Sequence, residues 1–417
     1  MGVQDQVSTK EEIGFIRSLF NFPIHKENVG AHASKIAKLK LARDLQKTLK
    51  ACEKDLESIT GEEDIMDLVA KIEEPLLEAT GDIYQSSKKK TELIGVEIDD
   101  YVQHLSENVS DFAGIPSGFS RFDVAIGGGL RRKSVDLVAA RPKVGKSMFG
   151  DAVAMHVAGN LNIPVLMLDT EMSKEDHLHR ILASISGVEI NRISTGKFSE
   201  NAIESEKINE AKEKLKNIPY HYISIAGESF ENILAQMRKW IYQHVGFDEN
   251  GVTKDCLIVY DYLKLMGSEG INASMQEYQV LGFQITKLHN FCVKYDVPCL
   301  SFVQLNRDGI TRESTDVVSG SDRLIWLCTS FSIFKMKSEE EIVTDGPDNG
   351  NRKLVPIVAR HGEGLEDGDY VSMKMFGKYG RIQEGETRNE IHNNNRSREE
   401  GFETDGIADE ESDISNF

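Results

Sequence analysis

The chain has 417 residues, a formal net charge of −19 and 40% hydrophobic residues, enough for one large domain or two to three ordinary ones around a real core. No apolar run approaches the ~20 residues that cross a membrane, and the start, Met-Gly-Val-Gln-Asp-Gln, has no apolar signal core, so neither a span nor a secretory leader is expected. Five scattered cysteines without a Cys-x-x-Cys pair argue against a zinc module and a disulfide framework and fit a reducing cytoplasm.

Part of the charge is local. Glu399 to Phe417 holds eight acidic residues and no Lys or Arg, leaving −11 for the other 398 residues. A nucleic-acid surface on such a chain must therefore be a confined patch.

In chain order, a helical N-terminal domain is predicted over residues 1–84. Leu41, Leu45, Leu49, Cys52 and Leu56 recur at spacings of three and four, and Ile65, Leu68, Val69, Ile72 and Leu76 form a second stripe. Residues 85–112 are polar and read as a linker carrying one amphipathic helix around Ile98–Leu105. The glycine-rich stretch Gly114–Leu130 then leads into a core domain over 113–386. Strand-like runs there alternate with helical segments: Val135–Ala139, Val165–Leu168, Tyr220–Ile225, Cys256–Tyr260, Cys299–Val303, Ser330–Lys335 and Lys353–Ala359. That alternation predicts an α/β fold with a mostly parallel sheet. Asp345–Arg352 reads as a hairpin turn near the sheet edge. Residues 387–417, poor in apolar groups and ending in the acid run, read as a disordered acidic tail, either a solubilising tether or a docking segment.

Ala140 to Ser147, Ala-Arg-Pro-Lys-Val-Gly-Lys-Ser, is a phosphate-binding loop in all but its first glycine. It lies between the apolar run Val135–Ala139 and a predicted helix over Met148–Ala158, the context that the motif requires. Arg141, Pro142, Lys143, Val144, Gly145, Lys146, Ser147 and Met148 would cradle phosphate oxygens with backbone N–H groups and the positive end of the helix. Lys146 would reach the β- and γ-phosphates, and the Ser147 hydroxyl would ligate Mg²⁺. The apolar run Leu257–Tyr260 closes on Asp261, a carboxylate placed to hold that metal. Glu171, just past Val165–Leu168, is the candidate for orienting the attacking water, with Asp169 as its local competitor. Gln304, after Cys299–Val303, could sense the γ-phosphate. All these groups lie beyond strand carboxyl ends, where open α/β sheets bind ligands.

The motif series resembles the DnaB-type replicative helicases. It comprises Gly114-Ile115-Pro116-Ser117-Gly118-Phe119, Asp123, Gly127-Gly128, Ala139-Ala140-Arg141-Pro142, Glu171-Met172, Asp261-Tyr262-Leu263-Lys264-Leu265-Met266 and Gln304-Leu305-Asn306-Arg307, in order and at the family's spacing. A weaker similarity to that family's N-terminal domain rests on Ile16-Arg17-Ser18-Leu19, Asn28-Val29 and Leu76-Leu77-Glu78-Ala79, with the early part missing as in shortened phage relatives. The resemblance implies a RecA-like core and a ring homo-hexamer with ATP and Mg²⁺ between subunits, moving 5′→3′ on single-stranded DNA. It also implies a cytoplasmic setting (the host's, for a phage protein) and partners such as a primase or helicase loader. On the same basis Glu171 activates water, Lys146 and Ser147 bind phosphate and metal, and Asp261 supports the metal. Arg360, within Val358-Ala359-Arg360-His361-Gly362, matches an arginine finger that serves a neighbouring subunit's ATP.

The sequence departs from the family pattern in three places. Val358 stands where a lysine is usual, Val317-Val318 replace Arg-Glu before Ser319-Gly320, and the usual Pro-Gly is absent from Arg131–Ser134. DNA contact is therefore expected from backbone N–H groups around Ser319, Gly320 and Ser321, from Arg307, Arg312 or Arg323, or from the Gly267–Gln276 loop. Two alternatives share the core chemistry. One is a RecA/RadA-like recombination protein, and the other is an ATP-binding replisome assembly platform with weak helicase activity.

Overall fold

The computed structural model describes residues 26–59, 72, 75, 93–95, 98–107, 109–263, 277–305 and 322–395. Two compact units divide the chain, Met1–Lys90 and Thr91–Phe417. The first contains helix α1, Lys26–Glu57. Of the stripe expected on it, Cys52 is buried and Leu45 half-buried, while Leu49 and Leu56 are exposed. Of the second expected stripe, only Ile72 is among the described residues, helical and half-buried.

In the second unit, helix α2 (Ile98–Glu107) carries Ile98, Tyr101, Val102 and Leu105 on one stripe, all at least half exposed. Nine strands form one sheet: β1 Val135–Ala140, β2 Val165–Asp169, β3 Tyr220–Ser224, β4 Leu257–Asp261, β5 Cys299–Gln304, β6 Ser330–Met336, β7 Arg352–Ala359, β8 Val371–Phe376 and β9 Arg381–Thr387. Their order is β3-β2-β4-β5-β1-β6-β7-β8-β9. The first six in that order pair in parallel, and β7, β8 and β9 extend the sheet antiparallel. Described helices of this unit are α2, α3 (Ser120–Ala125), α4 (Lys146–Met155), α5 (Lys174–Ser186), α6 (Ile190–Ser194), α7 (Ala202–Leu215), α8 (Phe230–Trp240), α9 (Glu277–Tyr295), α10 (Asp322–Leu327), α11 (Glu339–Asp345) and a last one over 388–395.

Strands β1, β2 and β4 are buried along their whole length, which is why they read as continuous apolar runs rather than alternating ones. Successive side chains point to opposite faces, so each strand feeds two cores. Leu137, Leu166, Ile258 and Ile333 pack under Trp240, Leu288 and Phe291 on one face. Val138, Met167, Val259 and Phe302 pack under Phe149 and Phe119 on the other. Phe149 anchors α4 to this second core, stacking on Phe119 at 5.0 Å and meeting Phe302 edge-on at 6.4 Å.

Three expectations need correction. Asp345–Arg352 is no simple hairpin turn, because α11 ends at Asp345 and a 3₁₀ turn, Pro347–Asn349, follows before β7. A buried ion pair holds this connection in place. Lys337 Nζ lies 2.6 Å from an Asp345 oxygen, and it also donates to the Asn349 carbonyl and the Ser372 hydroxyl. Nor is it at the sheet edge, since β8 and β9 lie beyond β7. The third correction concerns the tail expected from residue 387, which is helical over 388–395. The Thr387 hydroxyl accepts from the Glu390 amide while the Glu390 carboxylate accepts from the Thr387 amide, and Ile391 is buried. That reciprocal capping starts the helix, and Glu390 also holds Arg121 at 2.6 Å. The acid run itself lies outside the described residues.

Candidate active site

The loop between β1 and α4 bends through two left-handed residues, Lys143 (φ 66°) and Gly145 (φ 118°), an alternation that turns backbone N–H groups into one concavity. No side chain caps α4 at Gly145, which leaves its first N–H groups free for an anionic ligand. A Cβ on Gly145 would come within 2.7 Å of Met375 Sδ. Gly145→Ala is therefore expected to cost on the order of 1–3 kcal/mol through the strained φ and to weaken nucleotide binding. Thermal melts and titration with a fluorescent nucleotide check both, and Met375→Ala should relieve the clash but not the strain.

The loop opens on a cavity of about 550 Å³ lined by Arg141, Pro142, Lys143, Gly145, Lys146, Ser147 and Met148, with Glu171 and Gln304 opposite. Eight of the residues named from sequence for phosphate and water thus converge on one space together with Gln304. Val144 is the exception: its side chain is buried, and its carbonyl accepts from Arg352 Nε at 2.9 Å. Arg141 donates to the Leu305 carbonyl at 3.2 Å, tying the loop to the end of β5.

Asp261 ends β4 beside this space. Lys146 Nζ lies 2.8 Å from its carboxylate and 3.5 Å above the Tyr262 ring. Burial raises the Asp261 carboxyl above its ordinary range, with Lys146 and Ser147 opposing that rise. A hydroxyl and a carboxylate next to a phosphate cradle are the hard oxygen donors that suit Mg²⁺.

Glu171 is exposed to the cavity, and the Tyr262 hydroxyl donates to it at 2.9 Å. Its competitor Asp169 is buried and already engaged. One Asp169 oxygen accepts from the Glu171 and Met172 amides, both at 2.6 Å, and the other lies 3.1 Å from His177 Nε2. Burial alone would raise the Asp169 carboxyl, but His177 and the two amides hold it below its ordinary value. This leaves Glu171 as the carboxylate that faces the cavity.

Burial disfavours the charged form of His177, yet Asp151 and Asp169 outweigh it and push the imidazole up to about 9 from 6.5. The folded chain then binds a proton that the unfolded chain has released, so this contribution to stability is full below pH 6.5 and is lost as pH rises through about 9. A shift of this size is worth on the order of 3 kcal/mol. The buried carboxyls Asp123 and Asp136, pushed up to about 7 by desolvation, titrate at the lower edge of that window and leave its upper part to His177. The thermal midpoint is expected to fall between about pH 8 and 9.5 in the wild type and to flatten over that interval in His177→Gln.

Arg360 stands apart from this cavity. It follows Ala359, which pairs with Ser330 at the start of β6, whereas the phosphate loop leaves β1 at Ala140, beside Phe334. Four residues of extended strand, roughly 13 Å, separate those two ends. Its backbone N–H donates to the Thr329 carbonyl at 3.0 Å, and its exposed guanidinium donates to the Trp326 carbonyl. Gly362 and Gly127 pack backbone to backbone, a closeness that admits no Cβ on either, which anchors the strand end carrying Arg360.

Among the expected DNA-contact residues, Arg307, Arg312, Ser319, Gly320 and Ser321 lie outside the described residues, as does the Gly267–Gln276 loop. Arg323 is placed on α10. Sequence reasoning did not single out Tyr262, Arg180 or Met375 for the cavity that they help line. Tyr262 was within reach of such reasoning, being adjacent to Asp261 in the Asp-Tyr-Leu run. Arg180 and Met375 come from α5 and β8 and carry no local signal.

The DnaB-like helicase C terminal domain model matches residues 114–319. The replicative DNA helicase DnaB of Synechocystis is 31% identical over 212 residues, which are 51% of this chain and 22% of that protein. The replicative DNA helicase DnaC of Bacillus subtilis is 24% identical over 300 residues, 71% of this chain and 63% of that protein. The chain thus spans less than two thirds of the length of these curated relatives. One solved ATPase domain superposes with a TM-score of 0.61 at 19% identity, covering 71% of this chain and all of that one. A DnaB-like replicative helicase, solved in a study of its interactions with primase, superposes with a TM-score of 0.63 at 17% identity, covering 88% and 82%. The mostly parallel sheet is the RecA-like fold of these ATPase domains. Over residues 114–319, this chain is thus similar to the C-terminal domain of the DnaB-like helicases.

Proposed function

We propose that this chain is an ATP-driven replicative DNA helicase, working as a ring homo-hexamer that moves 5′→3′ along single-stranded DNA and unwinds duplex at the fork. The observation that carries this reading is the split between its catalytic groups. Lys146, Ser147, Glu171 and Gln304 converge on one cavity, while Arg360 sits a strand's length away, out of reach of its own subunit's cavity. A guanidinium placed in this way would reach a nucleotide only in another copy. The exposed apolar stripe of α2 supports association with such a copy. The relatives named as replicative helicases support DNA as the track, and the similar helicase solved with its primase interactions supports a primase as a partner.

Lys146 would exchange its ion pair with Asp261 for the β- and γ-phosphates and offset their charge. Glu171, steadied by the Tyr262 hydroxyl, would orient the attacking water and accept its proton. Gln304 at the end of β5 would report the state of the γ-phosphate. The Ser147 hydroxyl and Asp261 would hold Mg²⁺, which would offset the charge of the phosphates during transfer. Arg307, Arg312, Arg323 and the Ser319–Ser321 backbone would grip the DNA phosphates, six copies multiplying a modest patch.

The test is ATP hydrolysis with and without single-stranded DNA, followed by unwinding of a forked duplex. Turnover stimulated by DNA together with strand separation is the expected result. ATP binding with slow turnover indifferent to DNA, and no unwinding, would instead identify an assembly platform.

A further inference from the structure

Behind the nucleotide cavity, three buried side chains link the helix that follows the phosphate loop to the turn that carries Glu171. His177 on α5 has Nδ1 2.6 Å from Asp151 on α4 and Nε2 3.1 Å from Asp169 at the end of β2. None of the three side chains is more than 5% exposed. The second Asp169 oxygen holds the backbone amides of Glu171 and Met172, both at 2.6 Å. Around this chain the Tyr220 hydroxyl donates to Asp151 at 3.2 Å and Arg180 stands 3.8 Å from the same carboxylate. The Tyr222 ring packs 5.2 Å from the imidazole, centre to centre, with its hydroxyl on the Met172 carbonyl.

A ring facing an acceptor at each nitrogen satisfies both only by donating from both. Any replacement with a single donor leaves one of the two buried carboxylates without its imidazole partner, a costly state that the 169–172 turn can relieve by moving. Among its described contacts, Glu171 has the Tyr262 hydroxyl on its side chain and Asp169 on its amide. Release of Asp169 would therefore move the catalytic carboxylate.

We propose that His177 is a positioning residue for ATP hydrolysis: it clamps Asp169 against Asp151 and so fixes where Glu171 meets the attacked phosphate. This rests on Glu171 as the water-activating group. His177 does not line the cavity, and it acts only through the turn.

The experiment measures kcat, nucleotide affinity and melting for His177→Gln and Asp169→Asn, alone and combined with Glu171→Gln. Asp169→Asn keeps an oxygen for the two amides while removing the charge that the imidazole pairs with, so it probes the clamp where His177→Gln folds poorly. In folded protein, kcat is expected to fall about 10- to 100-fold, as for a misplaced reacting group, with affinity for a fluorescent ATP analogue within about twofold of wild type. In single-turnover assays the His177→Gln effect is expected to vanish when Glu171 is already Gln. Unchanged kcat in both folded variants would overturn the proposal, as would equal losses of kcat and affinity, or a His177 effect that persists in the Glu171→Gln background. Should Glu171→Gln alone hydrolyse ATP normally, the assignment of Glu171 falls and the proposal with it. A dead Glu171→Gln beside fully active His177 and Asp169 variants removes the proposal alone.

Discussion

Arg360→Ala is expected to lower ATP hydrolysis by about 10³- to 10⁵-fold, the range that an arginine finger contributes to phosphoryl transfer, while leaving nucleotide affinity near wild type. The residue follows the end of β7, beside the start of β6 and a strand's length from the phosphate loop. Its removal should therefore not disturb the cavity of its own subunit. Mixing provides the sharper measurement. Rings assembled from Arg360→Ala and Glu171→Gln subunits contain some sites with an intact Glu171 from one copy and an intact Arg360 from the next. Partial recovery of hydrolysis in the mixture is expected although each variant alone is inactive. No recovery from well-formed mixed rings would mean that the two groups do not meet across a subunit boundary.

Glu171→Gln is expected to reduce hydrolysis by about 10²- to 10⁴-fold, the usual worth of a positioned general base, and to bind ATP as tightly as wild type. The amide keeps an oxygen for the Tyr262 hydroxyl donor, so the local geometry survives while the capacity to take a proton is lost. Rapid-quench hydrolysis beside equilibrium binding separates the two. Near-normal turnover in this variant would remove Glu171 from the chemistry and return attention to its neighbours in the cavity.

Much of the site could be read in the amino-acid order because its chemistry is local. The phosphate loop needs only a strand, a glycine at positive φ and a Lys-Ser pair opening a helix, all contiguous from Val135 to Met155. The buried strands β1, β2 and β4 stand out as unbroken apolar runs since both their faces are covered. β8 and β9 did not stand out. They lie at the antiparallel end of the sheet, with polar residues such as Lys374, Gln383 and Glu384 among half-buried ones, and a mixed pattern of that kind does not separate strand from loop. The helix over 388–395 escaped for a similar reason: a polar, asparagine-rich segment is ordered by one buried isoleucine, a capping exchange and an ion pair to Arg121.

The choice between Asp169 and Glu171 marks the boundary between the two kinds of information. Both carboxylates follow the same apolar run, and their spacing alone does not rank them. Asp169 loses its freedom to His177 and to the amides two and three residues on, and His177 in turn is held by Asp151 on another helix. Met375 and Arg180 likewise reach the cavity only because the strand order sets β8 and α5 around the phosphate loop. The amino-acid sequence by itself determined the nucleotide loop, the parallel core and the acids available to it, since each rests on residues adjacent in the chain. Only the tertiary structure decided which acid faces the cavity, which is sealed behind it, and that Arg360 stands away from that cavity. Those outcomes depend on groups tens to hundreds of residues apart that strand order and burial alone bring together or hold apart.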